Sequence, residues 1–165
     1  TVVDMTGALP RVLRPGKVTA EQISEVTGSS EIDPSVMRPL NEGERPRSPG
    51  TKYRHYAPEG DMTIVNGSAA RVIEAICGMY DAALASGQHP LILALESHLP
   101  AYGARRLESL GGNAEQMAHR IFGVLRDADA LGADVLYCEA IEATGLGLAV
   151  MNRLERAAAF HVVEV

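Results

Sequence analysis

Between residues 61 and 165 short apolar runs alternate with longer stretches of helical spacing, and few folds accept that pattern. Met62 to Val65 reads as a strand. Ser68 can cap a helix to about Ala85, with Val72, Ile76, Met79 and Leu84 near helical spacing and Gly87 as its stop. Leu91 to Leu95 is a continuous apolar run, as in a strand covered on both faces. Ala104 to Leu110 is ambiguous and fits a turn of helix and a short strand. Asn113 can cap a helix to about Ala130, with Met117, Ile121, Val124 and Leu125 inward. Asp134 to Cys138 is a strand, and Leu146 to Ala159 a helix with Leu148, Met151, Leu154 and Ala158 on one side. Val162 to Val165 closes the series. Strands separated by helices pair in parallel through right-handed crossovers. The expected fold is α/β: a Rossmann-like domain with a mostly parallel sheet of about five strands.

The first 40 residues read differently. Thr1 to Asp4 and Arg11 to Leu13 are short strand-like runs, and Pro15-Gly16 is a turn signal. Thr19-Ala20-Glu21-Gln22 is a capping-box pattern, Ile23 and Val26 give the helix that follows an apolar stripe, and Gly28 ends it. This piece is too small to bury a core alone, so its strands are expected to need partners that the chain does not contain. Residues 41–60 form a linker whose prolines and glycines forbid a long helix or a central strand. A passive spacer is Gly/Ser-rich, whereas this one gathers Arg45, Arg47, Lys52, Arg54 and His55 around Tyr53 and Tyr56. The start, Thr1-Val2-Val3-Asp4-Met5, reads as a strand cut open, so the chain is expected to be a fragment.

Charge and composition narrow the function. The net charge of −6 argues against a broad nucleic-acid face, and no direct nucleic-acid binding is expected. No apolar run is long enough for a membrane helix. Cys77 and Cys138 sit in apolar patterns and read as small buried side chains of a cytoplasmic protein. The histidines His55, His89, His98, His119 and His161 lack metal-ligand spacing, so no metal site is expected.

The most specific signal is Ser48-Pro49-Gly50-Thr51-Lys52-Tyr53-Arg54-His55-Tyr56-Ala57-Pro58. It resembles the linker motif of the two-domain threonylcarbamoyl-adenylate synthases, whose catalytic half is a YrdC-like domain; the family has Met where Thr51 stands. Thr1-Val2-Val3-Asp4 with Leu13-Arg14-Pro15-Gly16 resembles the last strands of that catalytic domain. Gly145-Leu146-Gly147-Leu148-Ala149-Val150-Met151-Asn152-Arg153-Leu154 resembles the helix that closes the accessory domain. The resemblance implies residues 1–40 as the end of the YrdC-like domain, 41–60 as linker or lid, and 61–165 as the Rossmann-like accessory domain.

The resemblance also implies an activity for the full-length protein. L-threonine, bicarbonate and ATP give threonylcarbamoyl-adenylate and pyrophosphate, and the product feeds modification of an adenosine in tRNAs that read codons starting with A. Mg2+ is expected with the ATP, and other tRNA threonylcarbamoyl-transfer proteins are expected partners. Arg14 matches the family arginine that contacts ATP, and Tyr56 the linker tyrosine that reaches the nucleotide. Lys52, Tyr53, Arg54 and His55 are expected lid contacts. Thr1 follows the position of a family serine that helps hold threonine or nucleotide. The family's catalytic Lys/Arg cluster has no counterpart here, so no catalytic residue is assigned and the segment alone is expected to be inactive.

Two further signals stand outside the motif. Gly145-Leu146-Gly147 suggests an anion-binding helix start, or else a tight turn with close packing. Glu139 and Glu142 follow a strand end, where open α/β sheets bind ligands, though a solvated loop explains them too. A non-catalytic module that binds a nucleotide or protein through its own crevice is therefore the competing reading. A dinucleotide oxidoreductase is disfavoured by the incomplete glycine fingerprint.

Overall fold

The computed structural model describes residues 1–41, 43–48 and 57–165. The readings of Lys52, Tyr53, Arg54, His55 and Tyr56 lie outside the described residues.

The N-terminal part builds a small sheet from β1 (Val2–Asp4), β2 (Arg11–Arg14) and, after helix α1 (Ala20–Thr27), β3 (Glu31–Ile32). β1 runs antiparallel to β2, and β2 parallel to β3. The capping box forms as its spacing predicts: Gln22 N–H donates to the Thr19 hydroxyl, and the Gln22 side chain accepts from Thr19 N–H. Gly28 closes the helix with φ at 87°, a conformation that costs glycine little. The expected apolar stripe does not become core, for Val26 is 87% exposed. Strand β3 was not legible, because two residues carry no periodicity.

The second part follows as β4 (Asp61–Asn66), α2 (Ala69–Ala85), β5 (Pro90–Leu95), β6 (Leu107–Gly111), α3 (Ala114–Ala130), β7 (Val135–Glu139), α4 (Gly145–Ala157) and β8 (Val162–Glu164). The ambiguous stretch Ala104 to Leu110 holds strand β6 from Leu107, and the helical turn lies before it, as a 3-10 segment at Glu96–Tyr102. The strands lie in the order β6-β5-β7-β4-β8, and every pairing is parallel. This is the expected α/β, Rossmann-like architecture.

Helices cover both faces. Ile121, Val124 and Leu125 of α3, with Val150 and Leu154 of α4, pack on Ile64, Leu93 and Leu136 of one face. Val72, Ile76, Tyr80 and Ala83 of α2 pack on Val65, Ile92 and Tyr137 of the other. That corrects the face read for α2, since Leu84 is 54% exposed and Tyr80 and Ala83 take the inward positions. Burying a side chain such as Leu93 or Ile64 contributes about 1.5–3 kcal/mol, and these interiors hold the strand ends in place. Cys138 is fully enclosed and burial pushes its thiol pKa up, as suits an inert core sulfur.

One buried group works against the fold. Oε2 of Glu155 on α4 is enclosed without a hydrogen-bond partner among the described residues, and burial raises that carboxyl above its ordinary value of 4.5. The native state therefore holds the proton more tightly than the unfolded chain. Stability falls as the pH rises through the folded value, because the charged form must then be buried. Glu155→Gln should melt at a higher temperature than the parent at neutral pH and show no gain below the ordinary value of 4.5. Thermal melts across pH read this directly; an equal gain at every pH would show that the charge is not the cause.

Candidate functional site

Helix α4 is covered on its sheet face and on much of its outer face, because residues of the N-terminal part lie against it. Asn152 is 3% exposed, an unusual interior position for an amide. Its Nδ2 donates to the Val36 carbonyl at 2.6 Å, and Arg156 Nη2 donates to the Ser35 carbonyl at 3.1 Å. Both carbonyls belong to a 3-10 turn at Pro34–Val36 whose start is capped by Asp33. The Asp33 carboxylate accepts from Ser35 N–H at 3.0 Å and from the Ser35 hydroxyl at 2.6 Å. Arg47 bridges Asp33 at 3.0 Å and Asp4 at 3.1 Å. Burial alone would raise the Asp33 pKa, but the Ser35 bonds and the Arg47 charge outweigh it and hold it below the usual range.

Of the residues singled out from the sequence, Arg14 and Thr1 lie in the N-terminal part beside this seam. Arg14 ends β2 and pairs in register with Val2, so Arg14 and Thr1 come to the same end of the small sheet. The Thr1 hydroxyl donates to the Val18 carbonyl, and a Cβ on Gly16 would meet the Thr1 nitrogen at 2.6 Å. Only glycine lets the Pro15–Lys17 turn pass that close. A pocket of about 240 Å³ opens between this turn and helices α3 and α4. Phe122, Leu146 and Val150 give it apolar walls, and Lys17 and Arg153 bring cations to it. The Arg153 guanidinium lies over the Phe122 ring at 5.8 Å and donates to the Ala149 carbonyl at 2.7 Å. Burial, and then the neighbouring Arg14 charge, lower the Arg153 pKa.

At the opposite signal the structure corrects the solvated-loop reading. Glu139 is the last residue of β7 and is 2% exposed. Its carboxylate accepts from Leu95 N–H at 3.1 Å and the Tyr102 hydroxyl at 2.6 Å, and lies 2.9 Å from His98 Nδ1. After β5 the chain passes to the α2 face, and after β7 to the α4 face. Their carboxyl ends therefore form the crevice where doubly wound sheets usually take ligands. Here the protein's own side chain fills it. Burial, then the bond to Glu139, drives the Tyr102 pKa up, so Tyr102 stays a neutral donor. Glu142 is exposed and does not pair with Glu139.

The Gly145-Leu146-Gly147 start of α4 is a close-packed turn. A Cβ on Gly147 would lie 2.2 Å from the Glu142 carbonyl, so this glycine serves close packing. The Glu21 carboxyl is held below its usual pKa by its own N–H and the Thr19 side chain, and the Gly145 N–H contributes further. Sequence reasoning did not single out Arg153, Lys17 or Asn152. An amide inside an apolar helix was the available signal for Asn152.

This architecture and seam match known proteins. A family profile, "Threonylcarbamoyl-AMP synthase, C-terminal domain", matches residues 18–159. The chain belongs to the threonylcarbamoyl-AMP synthase C-terminal domain family. A Pyrococcus abyssi threonylcarbamoyl-AMP synthase is 35% identical over 100% of this chain and 47% of its own length. One from Bacillus subtilis is 34% identical over 99% of this chain and 46% of its own. The chain thus spans about half the length of the curated relatives it matches. The crystal structure of P. abyssi Sua5 complexed with L-threonine superposes with a TM-score of 0.87 at 34% identity, covering 100% of this chain and 47% of that one. An isolated C-terminal Sua5 domain from Pyrococcus horikoshii gives a TM-score of 0.54 at 31% identity, covering 66% of this chain and 100% of that one. Among the described residues no helix is long and apolar enough to cross a membrane.

Proposed function

We propose that this chain is the C-terminal part of a two-domain enzyme that makes threonylcarbamoyl-AMP from L-threonine, bicarbonate and ATP for tRNA modification. Threonine and bicarbonate give a carbamate with loss of water. A carbamate oxygen then bonds to the α-phosphorus of ATP, and pyrophosphate leaves with the electron pair of the broken bond. The observation that carries this reading is similarity along the whole chain to proteins of that name, at 35% identity. Residues 1–40 complete the YrdC-like domain, 41–60 link, and 61–165 form the accessory domain. An independently solved C-terminal domain covering 66% of this chain supports the last boundary.

Arg14 offers its guanidinium to the nucleotide, Tyr56 shields the adenylate, and Lys52, Tyr53, Arg54 and His55 line the same lid. The P. abyssi protein has also been crystallised with an adjacent His–Tyr pair changed to alanines; the adjacent pair in this chain is His55–Tyr56. Thr1 lies on the threonine side, and the L-threonine complex of the P. abyssi protein supports that substrate. Mg2+ comes with the ATP phosphates, whose charge it offsets. The setting is the cytoplasm, with other threonylcarbamoyl-transfer proteins as partners. The crevice-binding alternative loses its support where Glu139 fills the crevice.

Pyrophosphate release from threonine, bicarbonate and ATP tests the proposal. The two-domain protein should turn over and this chain alone should not. In the two-domain protein Tyr56→Ala should weaken ATP binding by about 1–3 kcal/mol, the worth of one stacked base, without changing the melting of the accessory domain. Turnover by the isolated chain, or unchanged ATP affinity with a lowered melting temperature, would overturn it.

A further inference from the structure

The pocket between the Pro15–Lys17 turn and helices α3 and α4 has a charge pattern that the fold alone does not explain. Among the described residues neither Lys17 nor Arg153 pairs with a carboxylate. Arg153 is partly buried, pressed on Phe122, and within electrostatic reach of Arg14. Burial disfavours the charged form of the Arg153 guanidinium, and an anion beside it would offset that cost. Glu115, exposed on the first turn of α3, also lines the pocket and opposes any anion there, and His119 is the other titratable group of the lining.

We propose that this pocket is a phosphoryl-binding site in which Lys17 and Arg153 hold the anion and Phe122, Leu146 and Val150 enclose the side away from water. The chemistry favours phosphoryl over carboxylate. A guanidinium fork matches two phosphoryl oxygens, and a multiply charged group balances several cations where a carboxylate balances one. The volume of about 240 Å³ falls below the roughly 300–1,000 Å³ of pockets that enclose a whole drug-sized ligand, so it takes one end of a larger molecule or a small inorganic anion. This assignment rests on the proposed synthase reading for its source. That reaction supplies a triphosphate and releases pyrophosphate, and Arg14, assigned above to the nucleotide, lies within electrostatic reach of Arg153. Arg153 would then be the accessory domain's direct contribution to substrate handling, reaching across the seam to phosphate that Arg14 holds from the other side.

The described lining residues all belong to this chain, so the chain itself can be titrated. The experiment is calorimetric titration with inorganic pyrophosphate, and in parallel with ATP and orthophosphate at matched ionic strength. Pyrophosphate or ATP should bind at one saturable site. Lys17→Gln and Arg153→Gln should each weaken binding about tenfold or more, the worth of one charge-assisted contact. Glu115→Gln should tighten it. That opposition of sign is what a merely structural role for these side chains would not produce. Because Arg153 stacks on Phe122, Arg153→Gln can disturb folding; Lys17→Gln, at an exposed position, and Arg153→Lys, which keeps the charge, retain the test. Pyrophosphate binding better than ATP points to the leaving group, ATP binding better points to the intact nucleotide, and equal binding of orthophosphate points to a single phosphoryl group. Each of these supports the site. Saturable binding of none of the three, or binding that every variant retains unchanged, overturns it. A two-domain protein that failed to release pyrophosphate would remove the proposed activity and leave the binding result standing.

Discussion

Replacing Glu139 by alanine is expected to destabilise the protein by about 3 kcal/mol, the scale of leaving buried donors without acceptors. The carboxylate gathers Leu95 N–H and the Tyr102 hydroxyl, with His98 Nδ1 beside it, at the point where β5 and β7 end. Tyr102 is fully enclosed, so its hydroxyl has no water to turn to. Tyr102→Phe removes one donor and leaves the carboxylate its other partners, so its cost should be smaller, about 1–2 kcal/mol. Urea unfolding of the parent and both variants measures the difference. If Glu139→Ala were as stable as Tyr102→Phe, the carboxylate would not be the centre of that network.

Gly147→Ala is the second large effect, expected at about 3 kcal/mol through overpacking. The new Cβ would lie 2.2 Å from the Glu142 carbonyl, and a backbone atom cannot rotate out of the way as a side-chain tip can. Relief must come from moving the start of α4, which carries Gly145 away from Glu21. Gly145→Ala is the control. Nothing lies near its absent Cβ, but its φ of 52° strains an L side chain, so its cost should be about 1–2 kcal/mol. Thermal or urea melts of the two variants separate these causes, and equal losses would mean that crowding at Gly147 is not decisive.

The core strands were legible because the alternation from Met62 to Val165 left one arrangement in which every apolar run is covered. The helices were legible where caps and spacing agreed, as at Asn113, whose side chain accepts from Gln116 N–H. The face of α2 was misread because Leu84 and Ala83 are neighbours in sequence, and size alone favours leucine for the interior. The sheet places the helix so that alanine faces inward. Glu139 was misread for a different reason. A carboxylate at a strand end looks solvated until the Glu96–Tyr102 segment folds over it, and no local pattern announces that tertiary contact. The pocket on α4 was not legible, because Lys17 and Arg153 are far apart in sequence and both come to line it only when α4 packs against the Pro15–Lys17 turn.

The burial of Asn152 has a thermodynamic consequence. A buried amide bonded to the Val36 carbonyl makes α4 common property of two layers: its apolar side completes one interior and its polar side seals the next. Peeling the two apart would strand an amide and a carbonyl without partners while uncovering Ala149 and Val150 to water. Partial unfolding along this plane is therefore disfavoured, and the two layers share one cooperative transition. Whatever binds on one side of the helix raises the work needed to loosen the other, so occupancy and rigidity are linked across the plane without any part having to swing.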